Sequence, residues 1–180
     1  MTRISSTRVY SGKFINVDQE RVLNPANEEL DLEIIRHPGA SAVVPVVSDL
    51  DSADPTILLI HQYRYAAGGT IWEIPAGVLE PGEEPIECAH RELKEETGGT
   101  AGTMTPLTTI LTTPGFTDER IHLFVASDIS PGKTSHESDE LIEIAPRPLS
   151  QALEMARDGT ICDAKSLVGI LYFKGFVLNR

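Results

Sequence analysis

Residues 77 to 99 read GVLEPGEEPIECAHRELKEETGG, a stretch in which seven glutamates stand among a few apolar residues. The spacing predicts a helix from Glu84 to Thr97, in which, at about 100° per residue, one face carries a set of mostly apolar side chains: Ile86, Ala89, His90, Leu93 and Thr97. The same spacing places Glu92 and Glu96 beside each other on the flank of this face, with Glu95 just beyond. Like charges four residues apart destabilise a helix by roughly a few tenths of a kcal/mol, and partial burial beside an apolar face would raise that cost, so the cluster requires a cation. Because Mg²⁺ prefers carboxylate oxygens and water, the sequence predicts a magnesium-binding helix, with a solvated acidic helix as the alternative.

The spacing of this stretch resembles the box of the Nudix hydrolase family. Gly77 is followed after five residues by Glu83 and after seven more by residues 91–98, which read RELKEETG. Every specified position of the box is present except the last, where Gly99 stands in place of the usual aliphatic residue. About nine positions at fixed spacing are far more specific than a short glycine motif. The resemblance implies an α/β fold, a Nudix-type α/β/α sandwich with a mixed central sheet.

The resemblance also implies a metal site. Its implied ligands are four carboxylates and one main-chain carbonyl: Glu83, Glu92, Glu95, Glu96 and the carbonyl of Ala76. The implied ion is Mg²⁺, with Mn²⁺ as a substitute. Gly77 leaves room for the backbone to approach a ligand closely. Arg91 and Glu95 are counted as catalytic residues as well, because an arginine one turn before Glu95 can hold one carboxylate in a fixed rotamer. The alternative for Arg91 is an ordinary surface ion pair worth about half a kcal/mol.

Three segments outside the box are similar to the ADP-ribose pyrophosphatase branch of the family. Pro114 follows the box by 15 residues, where that branch carries a proline, and Gly115 continues the same loop. Residues 62–66 (QYRYA) and 72–77 (WEIPAG) are also similar, and the resemblance implies that Arg64 binds the phosphates of the substrate. A guanidinium at a strand end is a good bidentate clamp for a diphosphate. The alternative for Arg64 is a solvated strand terminus.

An acidic segment, HESDE over residues 136–140, precedes the last predicted strand. In the ADP-ribose branch a glutamate of this loop acts as the base or as a further metal ligand. Glu140 matches that position best, and Glu137 is the second choice. A carboxylate on a loop that contains glycine and proline can move over a bound substrate. The alternative is a loop whose acidic residues serve only solubility.

These features together predict Mg²⁺-dependent hydrolysis of a nucleoside diphosphate sugar, with ADP-ribose cleaved to AMP and ribose 5-phosphate. The family's chemistry is direct attack of water on phosphorus, so no covalent enzyme intermediate is required. Two alternatives stay open. The substrate could be another nucleotide sugar such as GDP-mannose, or the chain could be a sensor domain that binds a nucleotide sugar without turning it over.

Composition and charge restrict the partners. The chain has 180 residues, of which 41% are hydrophobic, and a net charge of −12. One domain spanning residues 1–180 is the expected organisation. The negative charge opposes binding to nucleic acid or to an anionic membrane. Since the apolar runs are too short to span a bilayer and the first residues lack a signal-like apolar region, we expect a cytoplasmic protein.

Turn residues and apolar patterns divide the chain at about residue 40. Residues 1–40 are predicted to form an antiparallel β-meander, with strands at 9–10, 14–17 and 30–35. Residues 41–180 should form the catalytic fold, with strands at 42–47, 56–63, 70–74, 107–111, 121–126 and 141–144. Helices are expected from a cap at Ser150 and from Asp163. A free-standing meander is marginally stable, and the ADP-ribose branch commonly dimerises through it, so we expect a homodimer.

Overall fold

Ten strands and three α-helices make up the part of the chain that the computed structural model describes, residues 1–135 and 141–178. In chain order the strands are β1 (Thr2–Ser11), β2 (Asn16–Leu23), β3 (Glu29–Arg36), β4 (Ala40–Pro45), β5 (Thr56–Arg64), β6 (Gly69–Glu73), β7 (Ala76–Val78), β8 (Thr103–Leu111), β9 (Arg120–Ser127) and β10 (Ile142–Pro148). The helices are α1 (Pro85–Thr97), α2 (Leu149–Arg157) and α3 (Ala164–Tyr172), and the last continues as a π-helical turn over Phe173–Val177. No helix in these ranges is long and apolar enough to cross a membrane.

The strands are arranged in three sheets. β1, β2 and β3 form a small antiparallel sheet of their own. A four-stranded sheet in the order β7-β4-β9-β8 is mixed, because β4 and β9 are parallel and its other pairs are antiparallel. β10, β5 and β6 form an antiparallel sheet, which a bridge between Val46 and Ile57 connects to the end of β4. The predicted α/β class, with a mixed sheet and a separate N-terminal sheet, is confirmed, although the core strands are divided between two sheets.

The side chains of β4 enter two different cores, because successive residues of a strand point to opposite faces. Val43 packs with Ala89 and Leu93 of α1 on one face of the mixed sheet. Ala42 and Val44 pack on the other face, in the larger core to which α2 and α3 contribute. Helices therefore cover both faces of the sheet, which is the predicted α/β/α sandwich.

Residues at its two ends determine where the glutamate-rich helix α1 begins and ends. Pro85 occupies the first helical position, where a missing N–H is not needed. The Glu87 carboxylate accepts a hydrogen bond from the Glu84 N–H at 3.1 Å. Gly98 adopts the left-handed conformation (φ 72°), and its N–H donates to the Lys94 carbonyl at 2.8 Å. The helix predicted from residue 84 to residue 97 is correct to within one residue.

Two strands of the N-terminal sheet are much longer than predicted. β1 covers ten residues where only 9–10 was expected, and β2 continues six residues beyond the predicted end at residue 17. β2 places Asp18 and Glu20 on its buried face, where Arg36 donates to Asp18 Oδ2 from Nε at 3.1 Å and also to Glu20. Alternating charged residues usually indicate a solvated segment, but arginines from neighbouring strands neutralise this pair.

The C-terminal elements differ from the prediction at one helix cap. Ser150 does not cap α2 but lies in its first turn, where its N–H donates to Asp54 Oδ1 at 2.8 Å and its hydroxyl to Oδ2 at 2.6 Å. The cap thus comes from a distant loop, which no local spacing reveals. The predicted cap of α3 is confirmed, since Asp163 accepts the Ser166 N–H at 3.0 Å. The strand predicted over 141–144 is present as the longer β10.

Candidate active site

The buried side of α1 carries two of the predicted metal-binding glutamates. Glu92 is 8% exposed and Glu96 is 1% exposed, whereas Ile86 is 41% exposed and His90 lies at the surface. The spacing places Ile86 and His90 on one face with the two glutamates on its flank, but the structure buries the glutamates and exposes Ile86 and His90. Burying a carboxylate is costly unless it is hydrogen-bonded or paired with a cation, so the fold must hold these two groups for a reason other than packing.

The short strand β7 supplies the backbone against which the two buried carboxylates lie. The Ala76 N–H donates to Glu96 Oε2 at 2.9 Å. At Gly77, an added Cβ would stand 1.8 Å from Glu92 Oε1. With the Glu92 carboxylate in this position only glycine fits, because a side chain at residue 77 would occupy the space that the carboxylate fills. The predicted close approach at Gly77 is thus made by a carboxylate of the chain itself.

Arg91 connects the loop before α1 with the helix. Its Nε and Nη2 donate to the two Glu83 oxygens at 2.8 and 3.0 Å, and Nη2 also donates to the Val78 carbonyl at 3.1 Å. Its Nη1 contacts Glu92 and donates to Glu95 Oε2 at 3.1 Å. These contacts lower the pKa of Glu83, chiefly through the Arg91 hydrogen bond, and raise the pKa of Arg91 above its ordinary value. Arg91 contacts three carboxylates rather than the single one expected from the sequence.

The carboxylates of this region are chemically suited to a divalent cation. Among the described residues, no three His, Cys, Asp or Glu side chains converge closely enough to hold a metal ion as they stand. Arg91 supplies a positive charge to Glu83, Glu92 and Glu95. The donor set nevertheless fits Mg²⁺, because the carboxylates of Glu92 and Glu95 share one nitrogen of Arg91 and the buried Glu96 carboxylate lies at the backbone of β7.

A cavity of about 510 Å³ opens beside this cluster. It brings together residues from the N-terminal sheet, the end of β5, the β7 loop and α1: Lys13, Phe14, Arg64, Ala76, Gly77, Val78, Leu79, Glu80, Pro81, Arg91, Glu92, Glu95 and Ser135. The cavity is comparable in size to small-molecule sites. Lys13 and Phe14, in the turn between β1 and β2, were not predicted to line it. The sequence carries no signal for them, because their place depends on how the N-terminal sheet packs.

Arg64, the last residue of β5, lies in the cavity wall. Its Nε donates to Glu73 Oε2 at 2.7 Å, and its side chain stays partly exposed. Glu73 has no place in the box and was not singled out from the sequence. Trp72 stacks on His61, with ring centroids 4.3 Å apart, and packs against the larger core, so packing is its main contribution.

The remaining predicted site residues lie elsewhere or outside the described ranges. Pro114 and Gly115 are exposed in the loop between β8 and β9 and are not among the described residues that line the cavity. That loop is held against the N-terminal sheet, where the Ile35 N–H donates to the Phe116 carbonyl at 2.7 Å. Both base candidates, Glu137 and Glu140, lie outside the described residues.

Relatives of this chain include enzymes of nucleotide metabolism. An "ADP-ribose pyrophosphatase" of Bacillus subtilis (strain 168) is 39% identical over 173 residues, which cover 95% of this chain and 91% of that protein. A "Methanol dehydrogenase activator" of Bacillus methanolicus is 35% identical over 173 residues, with the same coverage of both chains. Each alignment leaves only about 5% of this chain outside it.

A solved structure and a family model agree with the fold described above. The crystal structure of an "ADP compounds hydrolase" superposes with a TM-score of 0.83 over 99% of this chain and 94% of the other, at 21% identity, which shows the shared fold. The family model "NUDIX domain" matches residues 37–166. The resemblance drawn from the box is confirmed, and this chain belongs to the Nudix family.

Proposed function

We propose that this chain is a Mg²⁺-dependent hydrolase of nucleoside diphosphate sugars and that ADP-ribose is its substrate, cleaved to AMP and ribose 5-phosphate. The observation that carries the proposal is the cavity, in which Arg64 and the carboxylates Glu92 and Glu95 line one space. A guanidinium and a carboxylate-bound cation are complementary to the two ends of a diphosphate. The 39% identity with an ADP-ribose pyrophosphatase over nearly the whole chain supports the choice of substrate.

Mg²⁺ would be held by Glu92, Glu95, Glu96 and the Ala76 carbonyl, with Glu83 nearby. When bound, the ion neutralises the nonbridging oxygens of the diphosphate and lowers the pKa of water at the site. Mn²⁺, which also takes oxygen ligands, should substitute for it.

The side chains of the enzyme bind the substrate and move the proton. Arg64 would donate to the phosphate oxygens and orient the diphosphate in the cavity. Arg91 keeps Glu83, Glu92 and Glu95 close together through its hydrogen bonds. Glu140, or Glu137 as the second choice, would take the proton of the attacking water. Pro114 and Gly115 are proposed to contact the substrate from the loop between β8 and β9.

Hydrolysis of ADP-ribose by the purified protein tests the proposal. The products are phosphate monoesters, so a coupled phosphatase releases inorganic phosphate from them but not from ADP-ribose. We expect phosphate release that requires Mg²⁺ and is abolished by EDTA. A panel with GDP-mannose and other nucleotide sugars identifies the preferred substrate. Binding without turnover of any nucleotide sugar would contradict the proposal and favour a sensor domain.

We also propose that residues 1–180 act as one unit that forms a homodimer through residues 1–40. β1 is exposed along its whole length and carries the apolar side chains Ile4, Val9 and Tyr10 at the surface. An exposed edge strand of this length is a template for pairing with a second chain. Light scattering should give the dimer mass, and Val9→Asp should give the monomer mass. Val47→Asp, at an exposed valine outside this sheet, is the control. The cytoplasmic location stays a prediction from the sequence.

A further inference from the structure

The Glu73 carboxylate is buried between two cations from distant parts of the chain. Glu73 is 3% exposed, at the end of β6. Its Oε2 accepts the Arg64 Nε–H at 2.7 Å, and its Oε1 accepts a hydrogen bond from the Lys165 ammonium. A buried carboxylate is tolerated only when its charge is compensated and its oxygens are hydrogen-bonded. Each oxygen of Glu73 therefore has its own cationic partner.

The positive charge of Lys165 stabilises the Glu73 carboxylate rather than helix α3, to which Lys165 belongs. It lies in the first turn of α3, where the helix dipole disfavours a positive charge. Lys165 is nevertheless 9% exposed, and its ammonium also donates to Asp163 Oδ2 at 3.0 Å. The charges of this cluster balance when all four side chains are counted, because the carboxylates of Glu73 and Asp163 share the cations of Arg64 and Lys165.

The start of α3 is fixed rigidly to the segment between β6 and β7. Asp163 accepts the Ser166 hydroxyl at 2.6 Å and the Ser166 N–H at 3.0 Å. The Ser166 Oγ in turn accepts the N–H of Ile74 at 2.8 Å, between residues 92 positions apart in the chain. Ile74 directly follows Glu73, so the same helix end holds the Glu73 side chain and the next peptide group.

This arrangement sets the position of Arg64. A guanidinium has five N–H donors in one plane, so a hydrogen bond at Nε fixes the direction in which the terminal nitrogens point. Since Nε is bound to Glu73, the terminal nitrogens are the donors that can serve a ligand in the cavity that Arg64 lines.

We propose that Glu73 and Lys165 are positioning residues for Arg64: Lys165 holds the Glu73 carboxylate, and Glu73 orients the Arg64 guanidinium toward the diphosphate of the substrate. Neither residue touches the substrate. The inference rests on the proposed function, because that function assigns the diphosphate to Arg64.

Kinetics of Lys165 variants with ADP-ribose test the effect on the substrate. Lys165→Met should raise KM about tenfold and change kcat less than about twofold, because Arg64 binds ground and transition states alike. Lys165→Arg, which keeps the charge, should restore a KM near that of the wild type. In an Arg64→Ala background, Lys165→Met should have no further effect on KM. Lys94→Met, at an exposed lysine of α1, is the control and should leave KM unchanged. An unchanged KM in Lys165→Met would overturn the proposal.

A variant that keeps the charges balanced separates positioning from folding. Glu73→Gln/Lys165→Met removes one charge of each sign, so the net charge of the cluster is unchanged, and Asp163 keeps its two hydrogen bonds from Ser166. It should melt cooperatively and still show the raised KM, since Arg64 loses its carboxylate. A wild-type KM in this folded double variant would contradict the proposal even if Lys165→Met alone did not fold.

The NMR signal of the Arg64 Nε–H group reports on positioning without any substrate. It is assigned by its loss in Arg64→Lys, and the bond to Glu73 should protect it from exchange with water. Lys165→Met should shift it and speed its exchange, whereas Lys94→Met should not. If wild-type protein fails to hydrolyse ADP-ribose, the proposed function is wrong, and this signal still decides whether Lys165 positions Arg64. If Lys165→Met leaves both the chemical shift and the exchange rate of this signal unchanged, the inference is wrong.

Discussion

Asp118 accepts a hydrogen bond from Arg36 Nη1 at 3.0 Å and so connects two parts of the fold that are 82 residues apart in the chain. Arg36 is the last residue of β3, and Asp118 lies in the loop between β8 and β9. The His37 N–H also donates to Asp118, at 2.9 Å. The same Arg36 side chain pairs with Asp18 and Glu20 of the N-terminal sheet. A single arginine therefore joins that sheet to the loop that carries Pro114 and Gly115.

Replacing Asp118 by Asn should make the stability of the protein depend less on pH. Partial burial raises the pKa of Asp118, but the hydrogen bonds from the His37 N–H and from Arg36 outweigh it and leave the pKa below its ordinary value of 3.8. A carboxyl whose pKa is lower in the folded state stabilises the fold above its unfolded pKa, and the stabilisation is lost as the pH falls through the folded pKa. Urea unfolding should show a deficit of about 1 kcal/mol for Asp118→Asn at pH 7, which shrinks below about pH 4.

Asp31→Asn is the matched control for this measurement. Asp31 pairs with Arg21 on the exposed side of the N-terminal sheet, and both partners belong to that sheet. Its loss should cost less, because it does not hold the sheet to the rest of the fold. Equal deficits for the two variants would mean that the Asp118 contact has no special part in holding the sheet.

Gly77→Ala should damage the active site more than the fold. The new Cβ would stand 1.8 Å from Glu92 Oε1, so the carboxylate or β7 must move. We expect kcat/KM for ADP-ribose to fall at least about tenfold, and the free energy of unfolding to fall by about 1 to 3 kcal/mol. Gly69→Ala, where an added Cβ meets no atom within 4 Å, should leave both quantities close to the wild type. Wild-type kinetics in Gly77→Ala would show that the position of Glu92 does not matter.

Glu96→Gln should lower kcat by at least about a hundredfold while the protein stays folded, because a metal ligand acts chiefly on charge in the transition state. The glutamine oxygen can still accept the Ala76 N–H that Glu96 Oε2 accepts at 2.9 Å. Glu92→Gln should behave alike, and the double variant should lose much less than the product of the two losses. Glu87→Gln, an exposed residue of the same helix, is the control and should keep full turnover. Turnover near that of wild type at saturating Mg²⁺ would remove Glu96 from the metal site.

Arg64→Ala should raise KM for ADP-ribose more than it lowers kcat, because a residue that binds the diphosphate equally in the ground and transition states contributes to binding alone. Arg157→Ala is the control, since Arg157 pairs with Glu154 on the exposed surface of α2. Initial rates over a range of substrate concentrations separate the two constants. An unchanged KM would mean that Arg64 does not bind the diphosphate and is only a solvated residue at the end of a strand.

The box and its helix could be predicted from the sequence because the information in them is local. Helical spacing and cap residues place α1 between Glu84 and Gly98 without reference to the rest of the chain. The burial of Glu92 and Glu96 could not be predicted, since a carboxylate in an amphipathic pattern normally faces water. Their burial depends on β7, which the sequence analysis did not identify as a strand.

Interactions between distant residues explain the remaining differences. Arg36 meets Asp18 and Glu20 across 18 and 16 residues, and Lys165 meets Glu73 across 92. No periodicity in the sequence connects such positions. The charged residues of β2 therefore predict a strand that is too short. Nothing in the sequence indicates that Glu73 is buried between two cations. The separate N-terminal antiparallel sheet could be predicted, because turn residues divide its strands.

The choice between Glu140 and Glu137 as the base can be decided by two parallel substitutions. If Glu140 takes the proton of water, Glu140→Gln should lower kcat by about two to four decades, leave binding of ADP-ribose close to intact and flatten the acidic limb of the pH–rate profile. Glu137→Gln should do little and serves as the matched control. The reason is position in the sequence: Glu140 stands two residues before β10, whereas placing Glu137 requires more of the segment to be ordered, at a higher cost in entropy. A large loss in Glu137→Gln alone would move the assignment three residues upstream. If neither variant loses activity, the proton leaves to a glutamate of α1 or to bulk solvent.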